Sequence, residues 1–297
     1  MIQIGVDFGG TKIEVAALDL AGRVVARARQ PTPPGYDDDI ETVARLVAEV
    51  ETMAGSRAAA IGMGGPGSVS ASSGLIRNAN STQLNGRDFP GDLARRTSRP
   101  VRYANDANCL ALSEAVDGAG AGHVVVFAAI LGTGCGGGLC VGARSLTGRN
   151  GIAGEWGHSP LPWPNAEETP GPQCWCGRRN CLELWISGSG LARDHGGGLT
   201  AEEVIAAGLR DEAPARAAYQ RYVDRLARGL AVVSNLIDPD VIILGGGMSN
   251  VAALYGDLAG ALPTYVFADQ FATQVLPALH GDSSGVRGAA WLWTNDP

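Results

Sequence analysis

The sequence predicts an α/β fold with two similar lobes. Predicted strands and helices alternate along the 297 residues, and one hairpin layout occurs twice. Each copy consists of a strand, a glycine-rich turn that contains a threonine, and a second strand, over residues 2–18 and again over residues 124–143. Two copies of one hairpin indicate two similar lobes with a cleft between them.

The individual elements follow from local patterns. Apolar runs bounded by glycine predict the strands, and initial acids with one apolar face predict a helix over residues 37–53. The glycines of residues 136–138 are assigned to a turn, and the proline-rich stretch 161–171 to a surface loop. The predicted strands cover residues 2–6, 13–18, 23–29, 58–63, 101–103, 124–131, 139–143 and 241–244, and the predicted helices cover residues 37–53, 106–116, 201–209, 214–237 and 284–293.

A chain of 297 residues is long enough for about two domains. We expect an N-terminal lobe over residues 1–117, completed by a C-terminal helix over residues 284–297 that folds back onto it. The C-terminal lobe is expected over residues 118–283, and it contains a cysteine-rich segment at residues 154–183.

Composition and charge argue against several classes of protein. Apolar residues make up 45% of the chain and charged residues 18%, which is ordinary for a globular protein. The formal net charge of -7, without clustered lysine or arginine, argues against nucleic-acid binding. No apolar segment reaches membrane-spanning length and no N-terminal signal is visible. We therefore expect a cytoplasmic protein with no membrane partner.

Two glycine turns are predicted to bind the phosphates of a nucleotide. The first contains Asp7, Gly9, Gly10, Thr11 and Lys12. Glycine lets backbone N–H groups approach phosphate oxygens closely, and Asp7 is suited to hold a hydrated Mg²⁺ through water. A tight hairpin with a strand-terminal aspartate would look the same when taken alone.

The second turn favours the phosphate interpretation, because it stands at the equivalent place in the second hairpin. It consists of Gly132, Thr133 and Gly134. Neither turn is a Walker loop, and the first is followed by a strand rather than by the helix of a Rossmann motif. A third run, Gly245, Gly246 and Gly247, follows a strand and precedes a predicted helix. It is expected to contact the nucleoside, although a plain strand-to-helix turn has the same pattern.

A general base is predicted at Asp106, within the segment 105–108. Phosphorylation of an alcohol needs a group that accepts the hydroxyl proton, and a carboxylate at a strand–helix junction can do so. The alternative is that Asp106 caps the helix, a common role for aspartate, and Asn105 is equally able to cap it.

Three close cysteines and one histidine predict a metal site. His158, Cys174, Cys176 and Cys181 form a Cys₃His set, which matches a closed tetrahedral zinc site. With all four positions filled by protein, the zinc would be structural. Cysteines without a metal, near a loop, are the alternative.

Polar residues beside the metal segment are predicted to bind a sugar. Glu155 and Glu183 flank the metal ligands, and carboxylates accept hydrogen bonds from vicinal hydroxyls. His158 can bind zinc through one ring nitrogen and donate the other N–H to the ligand. Asn80 offers a donor and an acceptor, although a polar loop residue would look alike. Surface ion pairs are the ordinary role of such glutamates.

Taken together, these motifs resemble the ROK family (repressor, open reading frame, kinase) over nearly the whole chain. One departure is Asn180, because the family usually has glycine before the last cysteine. Within the family, the segments 78–86, 113–118 and 280–290 look most like the bacterial fructokinase (mannofructokinase) group. The matching family motifs are residues 7–12, 131–138, 105–108, 154–158 and 174–183.

The resemblance implies an actin-like ATPase fold, with two ribonuclease-H-like lobes around a cleft that binds sugar and ATP. It implies an ATP-dependent sugar kinase with Mg²⁺ and structural Zn²⁺, often a homodimer, in which Asp106 is the base. Asn80, Asn105, Asp106, Glu155, His158 and Glu183 would hold the sugar.

Fructose, phosphorylated at its 6-hydroxyl, is the predicted substrate. The alternatives are N-acetylglucosamine, glucose or mannose with the same chemistry. Two further alternatives belong to other classes. A sugar-responsive repressor would carry a helix-turn-helix domain before the first strand, and the phosphate motif beginning at Asp7 leaves no room for one. An actin-like ATPase or chaperone would leave the acids near the metal ligands unexplained.

Overall fold

The computed structural model describes residues 1–294. The strands are β1 (Gln3–Phe8), β2 (Lys12–Leu18), β3 (Val24–Pro31), β4 (Ile61–Gly65), β5 (Ser68–Val69), β6 (Ile76–Arg77), β7 (Val101–Asn105), β8 (Val125–Leu131), β9 (Cys135–Val141), β10 (Arg144–Ser145), β11 (Val241–Gly245) and β12 (Gln274–Pro277). The helices are α1 (Tyr36–Ala54), α2 (Phe89–Thr97), α3 (Asp106–Asp117), α4 (Glu183–Ile186), α5 (Gly188–His195), α6 (Ala201–Leu209), α7 (Ala213–Ile237), α8 (Ala252–Ala261) and α9 (Ser284–Trp291).

The two large sheets have the same strand order. The first runs β3-β2-β1-β4-β7 and the second runs β10-β9-β8-β11-β12, while β5 and β6 form a separate hairpin. In the first sheet, β1 is antiparallel to β2 and parallel to β4. In the second, β8 is parallel to β11, which is parallel to β12. The repeated hairpin of the sequence is therefore part of a repeated five-stranded sheet.

The chain divides into two compact units. Among the described residues, unit 1 contains 1–124, 138–153 and 282–294, and unit 2 contains 125–137 and 154–281. In unit 1, the apolar face of α1 packs against the first sheet, and its buried members are Val43, Leu46, Val47 and Val50. In unit 2, the long helix α7 contributes much of a core that also holds Phe127, Trp156 and Trp185.

The glycines of residues 136–138 do not form the predicted turn but lie inside β9. They are there because other groups approach the strand too closely for side chains. A Cβ on Gly137 would lie 2.6 Å from Trp156 Cδ1, and the Trp156 indole donates to the carbonyl of Gly136 at 2.9 Å. The glycine run predicts a turn, but glycine is needed here because of this close packing.

The stretch 161–171 is also more than the predicted surface loop. It contains a short 3₁₀ turn, Ala166–Glu168, whose last residue is only 2% exposed. The Glu168 carboxylate accepts from Arg225 Nε at 2.7 Å and from Arg228 Nη2 at 2.8 Å, both on α7. A buried ion cluster therefore ties this stretch to the long helix. Among residues 1–294, no helix has the length and apolar character needed to span a bilayer.

Candidate active site

The first glycine turn joins β1 to β2 in unit 1. Asp7 lies near the end of β1, opposite Glu14 of β2 in the strand register. The turn closes with the Gly9 N–H donating to the Lys12 carbonyl at 2.9 Å. Gly10 and Thr11 are exposed at its tip. The tip of the turn is thus exposed to solvent shortly after Asp7 in the chain.

Asp7 has an unusual electrostatic environment. Its pKa is raised to about 6, chiefly by burial and also by the negative charges of Asp106, Glu14 and Asp282. Lys12 acts in the opposite direction. A carboxylate that burial and neighbouring acids make hard to ionise is stabilised by a nearby cation. This donor chemistry fits a hydrated Mg²⁺, which proteins commonly hold through one or two carboxylates.

The start of α3 distinguishes the two readings of Asp106. The helix is capped by Asn105, whose Oδ1 accepts from the Ala107 N–H at 2.9 Å. Asp106 is the first helical residue, and its side chain is exposed. Its Oδ1 also accepts from the Ala107 N–H, at 2.8 Å. Because Asn105 is the cap residue, the exposed carboxylate of Asp106 is suited to act as a base.

Asn80 and Asn105 lie on neighbouring segments of unit 1. The Asn105 Nδ2 group donates to the Gly67 carbonyl at 3.2 Å, and a Cβ on Gly67 would lie 2.8 Å from the Ala79 nitrogen. Asn80 is exposed. Its neighbour Ala79 is held from both sides by the Asn85 side chain, which accepts from the Ala79 N–H and donates to its carbonyl, both at 2.9 Å.

Asn85 is therefore a positioning residue that sequence reasoning missed. The signal for it was present, because residue 85 lies in the segment 78–86 that resembles the fructokinase group. What the sequence did not reveal is that the amide of Asn85 hydrogen-bonds to the backbone.

In unit 2, two of the three glycine segments contribute to one pocket. An open pocket of about 390 Å³ is lined by Gly132, Thr133 and Gly247, together with residues from α5 and α6. Gly134 lies instead beside Glu183, since a Cβ there would be 2.9 Å from Glu183 Oε2.

The bend after β11 depends on Gly246. Its φ is +79°, and a Cβ would lie 2.6 Å from the Leu131 carbonyl oxygen at the end of β8. Glycine is therefore needed here both for the backbone conformation and for the close approach. Gly245 precedes it as the last, buried residue of β11.

The four predicted metal ligands lie together in unit 2. The donor atoms of His158, Cys174, Cys176 and Cys181 are all within 4.8 Å of one another. His158 Nδ1 is 3.7 Å from Cys174 Sγ, and the sulfur atoms of Cys176 and Cys181 are 3.5 Å apart. Tetrahedral zinc with Zn–S bonds near 2.3 Å places its sulfurs about 3.8 Å apart. The donor set and spacing therefore fit zinc, with Nδ1 as the histidine ligand.

Glu183 is fixed by two hydrogen bonds beside this cluster. Its Oε1 accepts from the Trp175 indole at 2.9 Å, and its Oε2 accepts from the Cys135 N–H at 3.1 Å. The Trp175 ring also packs edge-on against His158, with centroids 4.8 Å apart. Trp175 thus links a predicted metal ligand to an acid, a contact that sequence reasoning missed. Glu155 is exposed.

The departure at Asn180 has a local explanation. Its φ is +61°, in the left-handed region that glycine adopts without strain. Asparagine tolerates this region better than most residues. Here its Oδ1 also accepts from the Trp185 indole at 2.7 Å. The chain conformation before Cys181 is thus compatible with asparagine.

Comparison with known proteins decides the family. A model of the ROK family matches residues 3–296. The chain belongs to the ROK family. It is 38% identical to the N-acetyl-D-glucosamine kinase of Shigella boydii serotype 4, over 98% of this chain and 99% of that protein.

Solved structures of ROK proteins share the fold. The ROK hexokinase of Thermus thermophilus is 32% identical with a TM-score of 0.88, over 98% of this chain and 97% of that one. A ROK family glucokinase from Streptomyces griseus, solved with glucose and AMPPNP, is 28% identical with a TM-score of 0.81 over the whole of both chains. The predicted actin-like ATPase fold is confirmed, and an ATP-dependent sugar kinase is supported. The fructose preference is not, because the curated relatives fit the predicted alternative, N-acetylglucosamine, better.

Proposed function

We propose that this ROK sugar kinase transfers the γ-phosphoryl group of ATP to the 6-hydroxyl of N-acetylglucosamine. The observation that carries the choice of sugar is the 38% identity to an N-acetyl-D-glucosamine kinase along essentially the full length of both chains. The exposed Asp106 carboxylate at the start of α3 supports the chemistry.

In this proposal, Asp106 accepts the proton of the 6-hydroxyl as its oxygen attacks the γ-phosphorus. Asn80, Asn105, Glu155, His158 and Glu183 hold the sugar hydroxyls. For His158 the ring geometry supports this role, because Nδ1 faces the cysteine sulfurs and Nε2 is the nitrogen left to donate. The orientation of Glu183 is supported by its bonds to Trp175 and Cys135.

The nucleotide is assigned to the glycine segments. Backbone N–H groups of residues 9–12 and 132–134 bind phosphate oxygens, and residues 245–247 lie near the nucleoside. Asp7 would hold Mg²⁺ through water, and that ion would neutralise the charge on the β- and γ-phosphates. Lys12 adds a positive charge at the same turn. Gly134, Gly245 and Gly246 do not line the pocket that contains Gly132 and Gly247.

A structural zinc is assigned to the Cys₃His cluster. It would fix the cysteine-rich segment and orient His158, because a protein-filled tetrahedral site leaves no open position for substrate.

The test is a coupled assay of ATP consumption over a panel of sugars, with the product mapped by NMR. We expect kcat/KM for N-acetylglucosamine to exceed that for glucose, mannose and fructose by at least about tenfold, roughly 1.4 kcal/mol of discrimination, with phosphate on O6. A preference for fructose would overturn the proposed sugar and favour the fructokinase reading of segments 78–86 and 280–290. ATP turnover that no sugar stimulates would contradict the kinase proposal itself.

A further inference from the structure

The first turn of α9 lies against the Asp7 carboxylate. A Cβ placed on Gly285 would be 2.9 Å from Asp7 Oδ2 and 3.0 Å from its Cγ. The backbone of Gly285 therefore covers one side of the carboxyl group, and a side chain at position 285 would have to displace that carboxylate. Asp7 and Gly285 are at opposite ends of the sequence, and no local motif predicts this contact.

This turn is anchored on the side of the first sheet. Arg27 of β3 donates from Nη2 to Ser283 Oγ at 2.6 Å, and its Nε lies 3.0 Å from Glu14 Oε1 on β2. Glu14 is the register partner of Asp7. The residue just before α9 is thus tied to the strand beside Asp7.

A second anchor joins the turn to α3. The Ser284 hydroxyl donates to Glu114 Oε1 at 2.9 Å, and both residues are fully buried. Glu114 lies on the helix that begins at Asp106. The first turn of α9 is therefore fixed both to the helix that begins with Asp106 and to the sheet that contains Asp7.

We propose that this turn positions Asp7, with Gly285 setting the place of the carboxylate and Ser283 holding the turn. Gly285 and Ser283 are positioning residues, since they act through Asp7. The inference rests on the proposed function in one respect, namely that Asp7 holds the Mg²⁺ ion of the bound nucleotide through water.

Another glycine of α9 offers a matched control. A Cβ on Gly288 would collide with the backbone carbonyl of Cys109, whereas a Cβ on Gly285 meets only the Asp7 side chain among its nearest atoms. A side-chain carboxylate can rotate away from an added methyl group, but a backbone carbonyl in a packed core cannot do so without moving its helix. Gly285→Ala should therefore displace the Asp7 carboxylate with little loss of stability. Gly288→Ala should lower the stability of the fold and leave Asp7 in place.

The experiment compares these variants by calorimetric titration with ATP at several Mg²⁺ concentrations, together with melting temperature. We expect Gly285→Ala to weaken MgATP binding at least about tenfold while melting within a few degrees of the natural protein. Gly288→Ala should melt clearly lower and keep the MgATP affinity of the natural protein when measured below its melting temperature. Ser283→Ala should weaken MgATP binding about threefold.

An unchanged MgATP affinity in folded Gly285→Ala would overturn the proposal, and so would an equal loss in both glycine variants. If Gly285→Ala does not fold, Ser283→Ala decides, with unchanged MgATP affinity counting against the proposal. Sugar turnover is measured separately. A natural protein that binds MgATP but phosphorylates no hexose contradicts the proposed function, whereas the comparison of variants still decides the positioning of Asp7.

Discussion

Asp106 takes the first position of α3, directly after the residue that caps the helix. Because Asn105 supplies the N-cap oxygen, replacing the Asp106 carboxylate by an amide should leave the helix intact. The chemistry depends on that carboxylate far more than the fold does. Substitution of Asp106 can therefore test its chemical role without a large effect on folding.

We expect Asp106→Asn to lower kcat by about 10²–10⁴-fold, the usual contribution of a general base, with sugar binding largely kept. Steady-state kinetics and calorimetric sugar titration measure the two effects. Asp88→Asn is the control, since Asp88 is the N-cap of α2 and accepts from Gly91 N–H. Because asparagine caps a helix about as well as aspartate, this variant should change the free energy of unfolding by less than about 0.5 kcal/mol and leave turnover unchanged. A folded Asp106→Asn variant with full activity would refute the base assignment.

Because the pKa of Asp7 is raised in the folded protein, its protonation makes the stability of the fold depend on pH in a direction that can be stated. Its pKa is raised to about 6 in the folded protein, first by burial and then by Asp106, Glu14 and Asp282. The folded state thus binds the proton more tightly than the unfolded state. The stability gained from this is fully present below the unfolded pKa and is lost as pH rises through about 6.

At pH 7.5 without Mg²⁺, Asp7→Asn should therefore be more stable than the natural protein, by at most about 3 kcal/mol. Denaturant unfolding at pH 4 and pH 7.5 measures this, and the gain should disappear at the lower pH. The same variant should lose Mg²⁺-dependent activity. In the natural protein, activity should fall as pH drops below about 6, because Asp7 becomes protonated. A variant less stable than the natural protein at pH 7.5 would contradict the assignment.

At the scale of elements, the stretch 161–171 depends on a buried ion cluster rather than on its own core. Glu168 is 2% exposed between Arg225 and Arg228. Its pKa is lowered to about 2, because the two arginines outweigh the burial that acts to raise it. Removal of the acid would leave two guanidinium groups buried with fewer partners.

Glu168→Ala should therefore lower the free energy of unfolding by about 3–5 kcal/mol. Its neighbour Glu167 is exposed, and Glu167→Ala should change the free energy by less than about 0.5 kcal/mol. Urea unfolding of the two variants makes the comparison. Equal effects would show that the cluster does not hold this stretch.

The cysteine-rich segment is the second element whose structure is expected to depend on more than side-chain packing, namely on a bound zinc ion. We expect one zinc per chain in the purified protein, measured by mass spectrometry of metals. Cys174→Ser should lose the zinc, melt lower and raise KM for the sugar more than KM for ATP, because His158 loses its orientation. Cys140→Ala, a buried cysteine outside the cluster, should keep the metal. A zinc-free natural protein with full activity would contradict the assignment.

At the scale of the whole molecule, the net charge of -7 opposes binding to a polyanion. Mobility-shift assays at physiological salt should therefore show no complex with duplex DNA at micromolar protein. A specific complex would instead favour the repressor class within the family. The homodimer stays a prediction, which light scattering with size-exclusion chromatography can test.

Much of the fold and of the candidate site was predictable because its signals are local. A glycine turn between two apolar runs identifies both hairpins, and the spacing of His158, Cys174, Cys176 and Cys181 identified the cluster that the structure brings together. The same reasoning wrongly predicted a turn at residues 136–138, which lie inside β9. Glycine is needed at position 137 because the Trp156 ring packs against it, and the residues next to it in the chain do not reveal that contact. The prediction of fructose as the substrate was not supported for a related reason. The family motifs describe the chemistry that the members share and not the shape of the sugar pocket.

The sequence by itself determined the family, the repeated hairpin and the chemical groups available for the reaction, because each depends on residues close together in the chain. Only the tertiary structure decided that Asn105 rather than Asp106 caps α3, that Asn85 holds the Asn80 loop, and that Glu168 is buried against α7. It also decided what surrounds Asp7. The physical reason is that burial and charge proximity arise between groups far apart in sequence, and both change the chemistry of a side chain without changing its identity.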